Sequence, residues 1–245
     1  MTATITGYQS NEIIFENERT QIRRGIRTAD NTPVVIKLSS AQYPTHFELA
    51  RLKHEYEVLG RLAITGVSRA YALEKTQNGL ALILEDFAGQ PLSDCIGTAH
   101  LDLATFLEYA VKMATIVGAM HDCGVIHKDL NPRNFLLNRA TAEFRIIDFG
   151  LSSVLQRQEQ EAISPGLLEG SLPYMSPEQT GRMNRGIDYR SDYYSLGIVF
   201  YELLTGKHPF HAEDSIGWVH CHIAKTPPSL CEQRADLPPV IDSIV

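Results

Sequence analysis

Three carboxylates, one carboxamide and one lysine in this chain have types and spacings suited to holding a metal and a phosphate. The stretch Ile126–Leu137 reads IHKDLNPRNFLL, a polar loop between two apolar anchors. Pro132 fixes its own φ and steers Asn131 away from helical geometry, so the segment is a loop. Within it, Asp129 can take the proton of an attacking hydroxyl, and Asn134, five residues later, can offer its amide oxygen to a divalent cation. Fourteen residues further on, IIDFGLS ends an apolar strand at Asp148, with Phe149 expected in a core and Gly150 allowing a sharp bend. Asp148 supplies the hard oxygen that Mg2+ needs while also touching phosphate oxygens. Earlier, VVIK sets Lys37 on a strand and Glu55 falls on the following helix, where an ion pair would aim the ammonium at a phosphate. Lys, Glu and an isolated DFG are common. The ordered set His127-x-Asp129-x-x-x-x-Asn134, followed by Asp148-Phe149-Gly150, is not.

These side chains must be positioned by two kinds of structure. The first third is strand-rich: NEIIFENER, TQIRRGIR and PVVIKLSS are short β-prone runs with TADNT as a turn, which predicts an antiparallel meander. YPTHFELARLKHEYEVLGRL predicts a helix with a stripe of Phe47, Ala50, Leu52, Tyr56, Leu59 and Leu62. SRAYALEKTQNGLALILEDF predicts a hairpin turning at QNG. After Gly89-Gln90-Pro91 the character becomes helical. LDLATFLEYAVKMATIVGAMHDCG stops at Gly124, and SDYYSLGIVFYELLTG, apolar nearly all round, predicts a buried central helix stopping at Gly206. A loop-rich tract lies between them. The expectation is an α+β chain with two lobes: a small antiparallel sheet over 1–88 and a larger, mainly helical lobe over 89–245.

Bulk properties narrow the function. With 22 basic and 29 acidic residues among 245, the net charge of −7 argues against nucleic acid or an anionic membrane surface as the main partner. The four cysteines are scattered and read as small buried residues of a reducing cytosol. His220 and His222, flanking Cys221, diverge on a helix and are read as surface and groove residues rather than metal ligands. No apolar run approaches 18 residues, and MTATITGYQSNE lacks a basic-plus-apolar signal, so a cytoplasmic location without membrane insertion is expected.

The ordered motifs resemble the eukaryotic-type serine/threonine protein kinase family. GSLPYMSPEQ is similar to the end of an activation segment, with Ser176-Pro177-Glu178 where kinases often carry Ala-Pro-Glu. RSDYYSLGIVFYELLTGKHPF resembles the helix that anchors the catalytic loop, with Asp192 at its buried acidic position. ILEDFAG resembles the hinge, where backbone groups near Glu85 and Phe87 would hold adenine. The resemblance covers about residues 13 to 232 and implies roles for each residue. Lys37, held by Glu55, would contact the α/β-phosphates of ATP, and Asp148 and Asn134 would hold Mg2+. Asp129 would orient and deprotonate a serine or threonine hydroxyl of a protein substrate. His127 and Phe149, with Leu59, resemble an apolar stack linking the lobes. IHKDLNPRN, EGSLPYMSPEQTGRMNR and HCHIAKTPP further resemble the N-terminal kinase-like domain of large bacterial, cyanobacterial-type hybrid signalling proteins. There an AAA-type ATPase, a GAF sensor and a histidine kinase follow, which makes such downstream domains expected partners in a longer chain.

Four departures from the pattern stand out. IIFENERTQIRRGI contains no G-x-G-x-x-G, Gly25 comes too late, and Glu16 and Glu18 add negative charge, so weak nucleotide affinity is expected. No G-x-x-x-x-G-K-[ST] is present to supply a P-loop instead. Asn131 stands where serine/threonine kinases usually carry lysine, while Arg133 stands where many tyrosine kinases place an arginine, and is expected to serve the γ-phosphate in its stead. Lys128 replaces the usual arginine before the aspartate, a point charge in place of a bidentate fork, which weakens the case for activation through phosphorylated Ser152, Ser153 or Ser164. The chain stops at Val245, so the arginine partner of Glu178 is expected beyond it and the helical lobe is expected to be partial. Two alternatives follow. A pseudokinase regulating attached sensor domains is favoured by the phosphate loop and Asn131, and opposed by the intact Lys37, Asp129 and Asp148. A small-molecule kinase of the aminoglycoside-phosphotransferase type is opposed by GSLPYMSPE and RSDYYSLG.

Overall fold

Period-two patterning in the N-terminal third becomes five strands: β1 (Tyr8–Glu16), β2 (Thr20–Arg27), β3 (Thr32–Ser39), β4 (Ala70–Lys75) and β5 (Leu80–Glu85), with α1 (His46–Arg61) after β3. The computed structural model describes residues 5–95, 100–154, 168–183 and 185–245. The chain divides into two compact units, Met1–Gly89 with Ile147–Gly150, and Gln90–Ile146 with Leu151–Val245.

The first unit holds one antiparallel sheet, ordered β1-β2-β3-β5-β4. The meander ends at β3, because α1 carries the chain to the far edge and β5 returns between them. Asn31 makes the β2–β3 turn at φ 57, a left-handed conformation that asparagine tolerates. In the predicted QNG hairpin, the Thr76 amide donates to the Gly79 carbonyl at 3.0 Å. Val34, Ile36, Ala81 and Ile83 form a core with Ile5 on one face. Alternation then turns Lys37 to the opposite face, where α1 packs against β3, β4 and β5.

Helix α1 starts at a capping box: the Glu48 amide donates to Thr45 Oγ1 at 3.3 Å, and the Thr45 amide to Glu48 Oε2 at 2.8 Å. Its buried face is Leu52, Glu55, Val58 and Leu59, which corrects the predicted stripe. Ala50 is exposed and Tyr56 half-buried. Phe47 is 53% exposed, with the Arg51 guanidinium 5.7 Å from its ring centre. Glu55 sits on that inward face because it pairs with Lys37 at 2.7 Å, the ion pair expected from the sequence.

The second unit begins with β6 (Gln90–Pro91), a short α2 (Leu92–Cys95) and α3 (Leu103–Asp122). Four short strands follow, β7 (Val125–Ile126), β8 (Phe135–Asn138), β9 (Glu143–Ile146) and β10 (Ser153–Val154), in the sheets β6-β8-β9 and β10-β7. Helices α4 (Arg190–Thr205), α5 (Ser215–Ala224), α6 (Leu230–Gln233) and α7 (Pro239–Asp242) complete it. Both predicted stops are seen, with Gly124 at φ 72 and Gly206 at φ 68. The α+β class expected from the sequence is the class observed. Helix α3, 20 residues with mean hydropathy 1.3, is long and apolar enough to cross a membrane by length and composition alone, although polar residues interrupt its apolar runs. Phe106, Met113, Val117 and Met120 bury one side of it, while Glu108 and Lys112 pair at 2.6 Å.

One surface assignment is corrected. His220 is exposed, but Cys221 and His222 are buried, 1% and 6% exposed, beside Phe210, Tyr194 and Trp218. A carbonyl can only accept, so His222 Nε2 donates to the Leu172 oxygen at 2.8 Å, and the neutral ring's Nδ1 accepts from the Tyr194 hydroxyl at 2.8 Å. Burial pushes the His222 and His208 imidazoles below their ordinary 6.5. Below that value the unfolded chain binds protons that the folded chain refuses, so stability is complete above pH 6.5 and is lost as pH falls through it. The melting temperature should fall between about pH 7.5 and about pH 5.5, and His222→Gln should flatten that fall. An identical pH profile for the variant would contradict the assignment.

Candidate active site

In the first unit, Lys37 Nζ lies 2.7 Å from Glu55 Oε2 and 2.8 Å from Asp148 Oδ1. The side chains of Lys37 and Glu55 are 9% and 2% exposed, while that of Asp148 is 44% exposed. Burial alone would lower the lysine's pKa; the two carboxylates outweigh it and hold the ammonium above its ordinary range. Burial also pushes Glu55 upward, opposed by Lys37 and by a hydrogen bond from the Phe149 backbone. The Lys37 ammonium, 2.7 Å from Glu55 Oε2, is the largest influence opposing that upward push. Phe149 is fully buried, as expected. The chain turns at Gly150 as expected, and Asp148 before it adds a left-handed φ of 66. That conformation strains a non-glycine residue and turns its carboxylate to Lys37.

The same unit carries the other nucleotide candidates. Glu85 ends β5 and its amide donates to the Arg69 carbonyl at 2.8 Å. Asp86 accepts from Arg24 Nε at 2.8 Å and from the Ala88 amide at 3.0 Å, which fixes the turn through half-buried Phe87. At the β1–β2 turn, Asn17 Oδ1 accepts from the Arg19 and Thr20 amides at 2.9 and 2.8 Å. The loop thus turns without glycine, held by the Asn17 side chain. The Glu16 carboxylate is bonded to the Gln21 side chain.

In the second unit, the Asp129 loop is hung from one carboxylate. Asp192, in the first turn of α4 and fully buried, accepts from the His127 and Lys128 amides at 2.8 Å each, and its Oδ2 lies 2.8 Å from His121 Nε2. Lys128 turns at φ 68, and its carbonyl accepts from Gln179 Nε2 at 2.6 Å. Buried His127 accepts from the Asp129 amide through Nδ1 at 3.3 Å. Asp129 Oδ1 accepts from the Ser171 amide at 2.8 Å, delivered by Gly170 at φ 108. Asn134 Nδ2 donates to the Asp129 carbonyl at 2.8 Å and to its Oδ2 at 3.3 Å.

Asn131, noted in the sequence only as a missing lysine, is a brace. It is 4% exposed, donates to the Asp129 carbonyl at 2.9 Å and to Ser171 Oγ at 3.1 Å, and accepts from the Arg133 amide at 2.9 Å. Arg133 is exposed and lines a pocket with Ser171, Tyr174 and Glu202. Glu178, for which an arginine beyond Val245 was expected, accepts from Ser191 Oγ at 2.6 Å. Of the phosphorylation candidates, Ser152 is buried at 5% exposure, Ser153 lies half-buried in β10, and Ser164 falls outside the described residues. The roles of His121, Ser171 and Gln179 went unread, because each acts through a long-range contact that leaves no local pattern.

The donor chemistry suits a hard divalent cation. Asp148 offers a half-exposed carboxylate, and Asn134, with its nitrogen turned to Asp129, has its oxygen as the remaining donor. Among the described residues no three His, Cys, Asp or Glu side chains cluster as a metal cage. Mg2+ keeps several waters and takes phosphate oxygens, so it needs few protein donors.

Comparison with known proteins gives the same family. A model described as the protein kinase domain matches residues 8–239. The chain is 30% identical to the serine/threonine-protein kinase Pkn1 of Myxococcus xanthus over 80% of its own length and 28% of that protein. It is 26% identical to a probable serine/threonine-protein kinase of Clostridium acetobutylicum, over 97% of this chain and 36% of that one. It is also 26% identical to the serine/threonine-protein kinase PknA of Mycobacterium tuberculosis, over 99% and 56%. The chain thus spans only part of the length of these relatives. Its match across nearly the whole sequence, to a family whose motifs fall on the residues described above, makes it a member of the protein kinase domain family.

Proposed function

We propose that this chain is an ATP-dependent kinase domain that transfers the γ-phosphate to serine or threonine hydroxyls of proteins. The observation that carries the reading is the fixed orientation of Asp129, with one carboxylate oxygen on the Ser171 amide and the other near Asn134 Nδ2. Its loop is tied to the buried Asp192, so the base is held in place before substrate arrives. In this account Asp129 orients the acceptor hydroxyl and takes its proton, and Lys37 contacts the α/β-phosphates. Backbone groups near Glu85 and Phe87 hold adenine. Asp148 and Asn134 would hold Mg2+, which supplies charge neutralisation on the phosphate oxygens. The three serine/threonine-protein kinase relatives support this substrate class.

The proposal extends to the longer protein. Resemblance of IHKDLNPRN and EGSLPYMSPEQTGRMNR to bacterial hybrid signalling proteins supports downstream sensor or ATPase domains as regulatory partners, in the cytoplasm.

Asp129→Asn keeps an acceptor for the Ser171 amide while removing the base. Transfer of labelled phosphate from ATP to protein substrate should drop by about 10²–10⁴-fold with ATP binding retained. Turnover equal to the parent's would sink the proposal. Asn131→Ala leaves the Asp129 carbonyl and Ser171 Oγ short of a donor. Chemical denaturation should show a loss of about 1–3 kcal/mol, and turnover should fall with it; a neutral effect on both would remove the brace from the account.

A further inference from the structure

Asp129 is tied, through one short turn, to a histidine on a distant helix. Ser171, whose amide donates to Asp129 Oδ1 at 2.8 Å, opens the 3-10 turn Leu172–Tyr174. The segment lies close on the base: a Cβ added to Gly170 would come within 3.4 Å of Asp129 Oδ1. The turn holds itself weakly. A single 3-10 turn has poor hydrogen-bond geometry, and its bond from the Met175 amide to the Leu172 carbonyl is long, at 3.4 Å. The shorter bond on that carbonyl comes from outside, donated by His222 Nε2 at 2.8 Å.

Helix α5 presents this histidine rigidly. Asp214 caps the helix by accepting from the Gly217 amide at 2.7 Å, and Cys221 packs with Ile198 and Phe210. The His222 ring stacks on Trp218 at 5.9 Å and meets Phe210 edge-on at 5.5 Å. Its Nδ1 accepts from the Tyr194 hydroxyl at 2.8 Å, so the ring gives one bond and takes another, as only a neutral imidazole can. The titratable groups around it are Tyr194 from α4, Tyr174 from the turn, His208 from the segment between α4 and α5, and Cys221 of its own helix. Glu178, after the turn, acts on Tyr194. The nearby carboxylates are already engaged, Glu202 with the Tyr174 hydroxyl and Glu178 with Ser191. Among the described residues, none pairs with His222 or His208. A proton on Nδ1 would therefore face the Tyr194 hydroxyl with no anion to offset the charge. Burial lowers the His222 pKa, the Leu172 bond opposes that, and His208 adds to it.

We infer that His222 is a positioning residue for Asp129. Neutral, it fixes the Leu172 carbonyl and with it the Ser171 amide that aims the carboxylate; protonated, it releases that hold, so phosphate transfer slows in mild acid. The inference rests on the reading of Asp129 as the base of a kinase.

The test compares the wild-type chain with His222→Ala and His222→Gln, at a temperature where circular dichroism shows each one folded. Phosphate transfer to protein substrate is measured at saturating ATP from about pH 7.5 to about pH 5.5, alongside hydrogen exchange at the Ser171 amide. His222→Ala should lower kcat by about tenfold or more with the KM for ATP unchanged, within the roughly 10²-fold that a misplacement of about 1 Å costs. It should also speed exchange at Ser171. Glutamine can donate to Leu172 and accept from Tyr194 without titrating, so His222→Gln should recover most of the loss at the upper end of the range. The ratio of its rate to the wild-type rate, in which the titration of ATP itself cancels, should climb as the pH falls. An unchanged kcat and exchange rate in His222→Ala, or a flat ratio, would overturn the inference. Should the alanine variant not fold, the ratio and the Ser171 exchange of His222→Gln decide alone. A chain that transfers no phosphate at any pH defeats the kinase reading instead. Exchange at Ser171 then judges the hold by itself: acid should speed it in the wild type beyond His222→Gln, and equal acceleration in both counts against it.

Discussion

A buried ammonium needs partners, and Lys37 has two. Leaving one charge of such a buried set unpaired costs about 3–5 kcal/mol, enough to set the arrangement of everything that carries the charges. Strand β3 brings the lysine, α1 brings Glu55 and the residues after β9 bring Asp148, all within hydrogen-bonding distance. Helix α1 buries Glu55 beside Leu52, Val58 and Leu59, and Asp148 adopts a left-handed backbone at the lysine. The exposure of Asp148 is what separates a functional arrangement from a purely structural one. One carboxylate is sealed and the other is 44% exposed.

The second unit solves a related problem with one carboxylate and many amides. Asp192 fixes the strained turn at Lys128, and Asn131 and Asn134 both donate to the Asp129 carbonyl. The loop is thus preorganised without the lysine that its family usually carries. At the β1–β2 turn the Asn17 side chain holds the amides of Arg19 and Thr20, so that turn needs no glycine.

Much of this was legible in the sequence because it is local. Strand alternation, capping residues, the QNG hairpin and the glycine stops at Gly124 and Gly206 each depend on a few neighbouring residues. The ordered Asp129, Asn134 and Asp148 were readable because catalytic spacing along a loop survives in the chain. What escaped depends on contacts across tens of residues. The burial of His222 follows from Leu172 and Tyr194. Asn131 read as a deficit because its lysine-like position was visible and its three hydrogen bonds were not. The left-handed φ of Asp148 also went unread, beside the turn at Gly150 that was expected.

The central claim is that Lys37, poised between a sealed and an open carboxylate, is the handle for nucleotide phosphates. Calorimetric titration of ATP with Mg2+ into the wild-type chain and Lys37→Met addresses it directly, with a thermal melt to show that the variant is folded. The account predicts a loss of at least about tenfold in affinity, the size expected from deleting a charge-assisted contact to phosphate. Equal affinity in a folded Lys37→Met chain would contradict it.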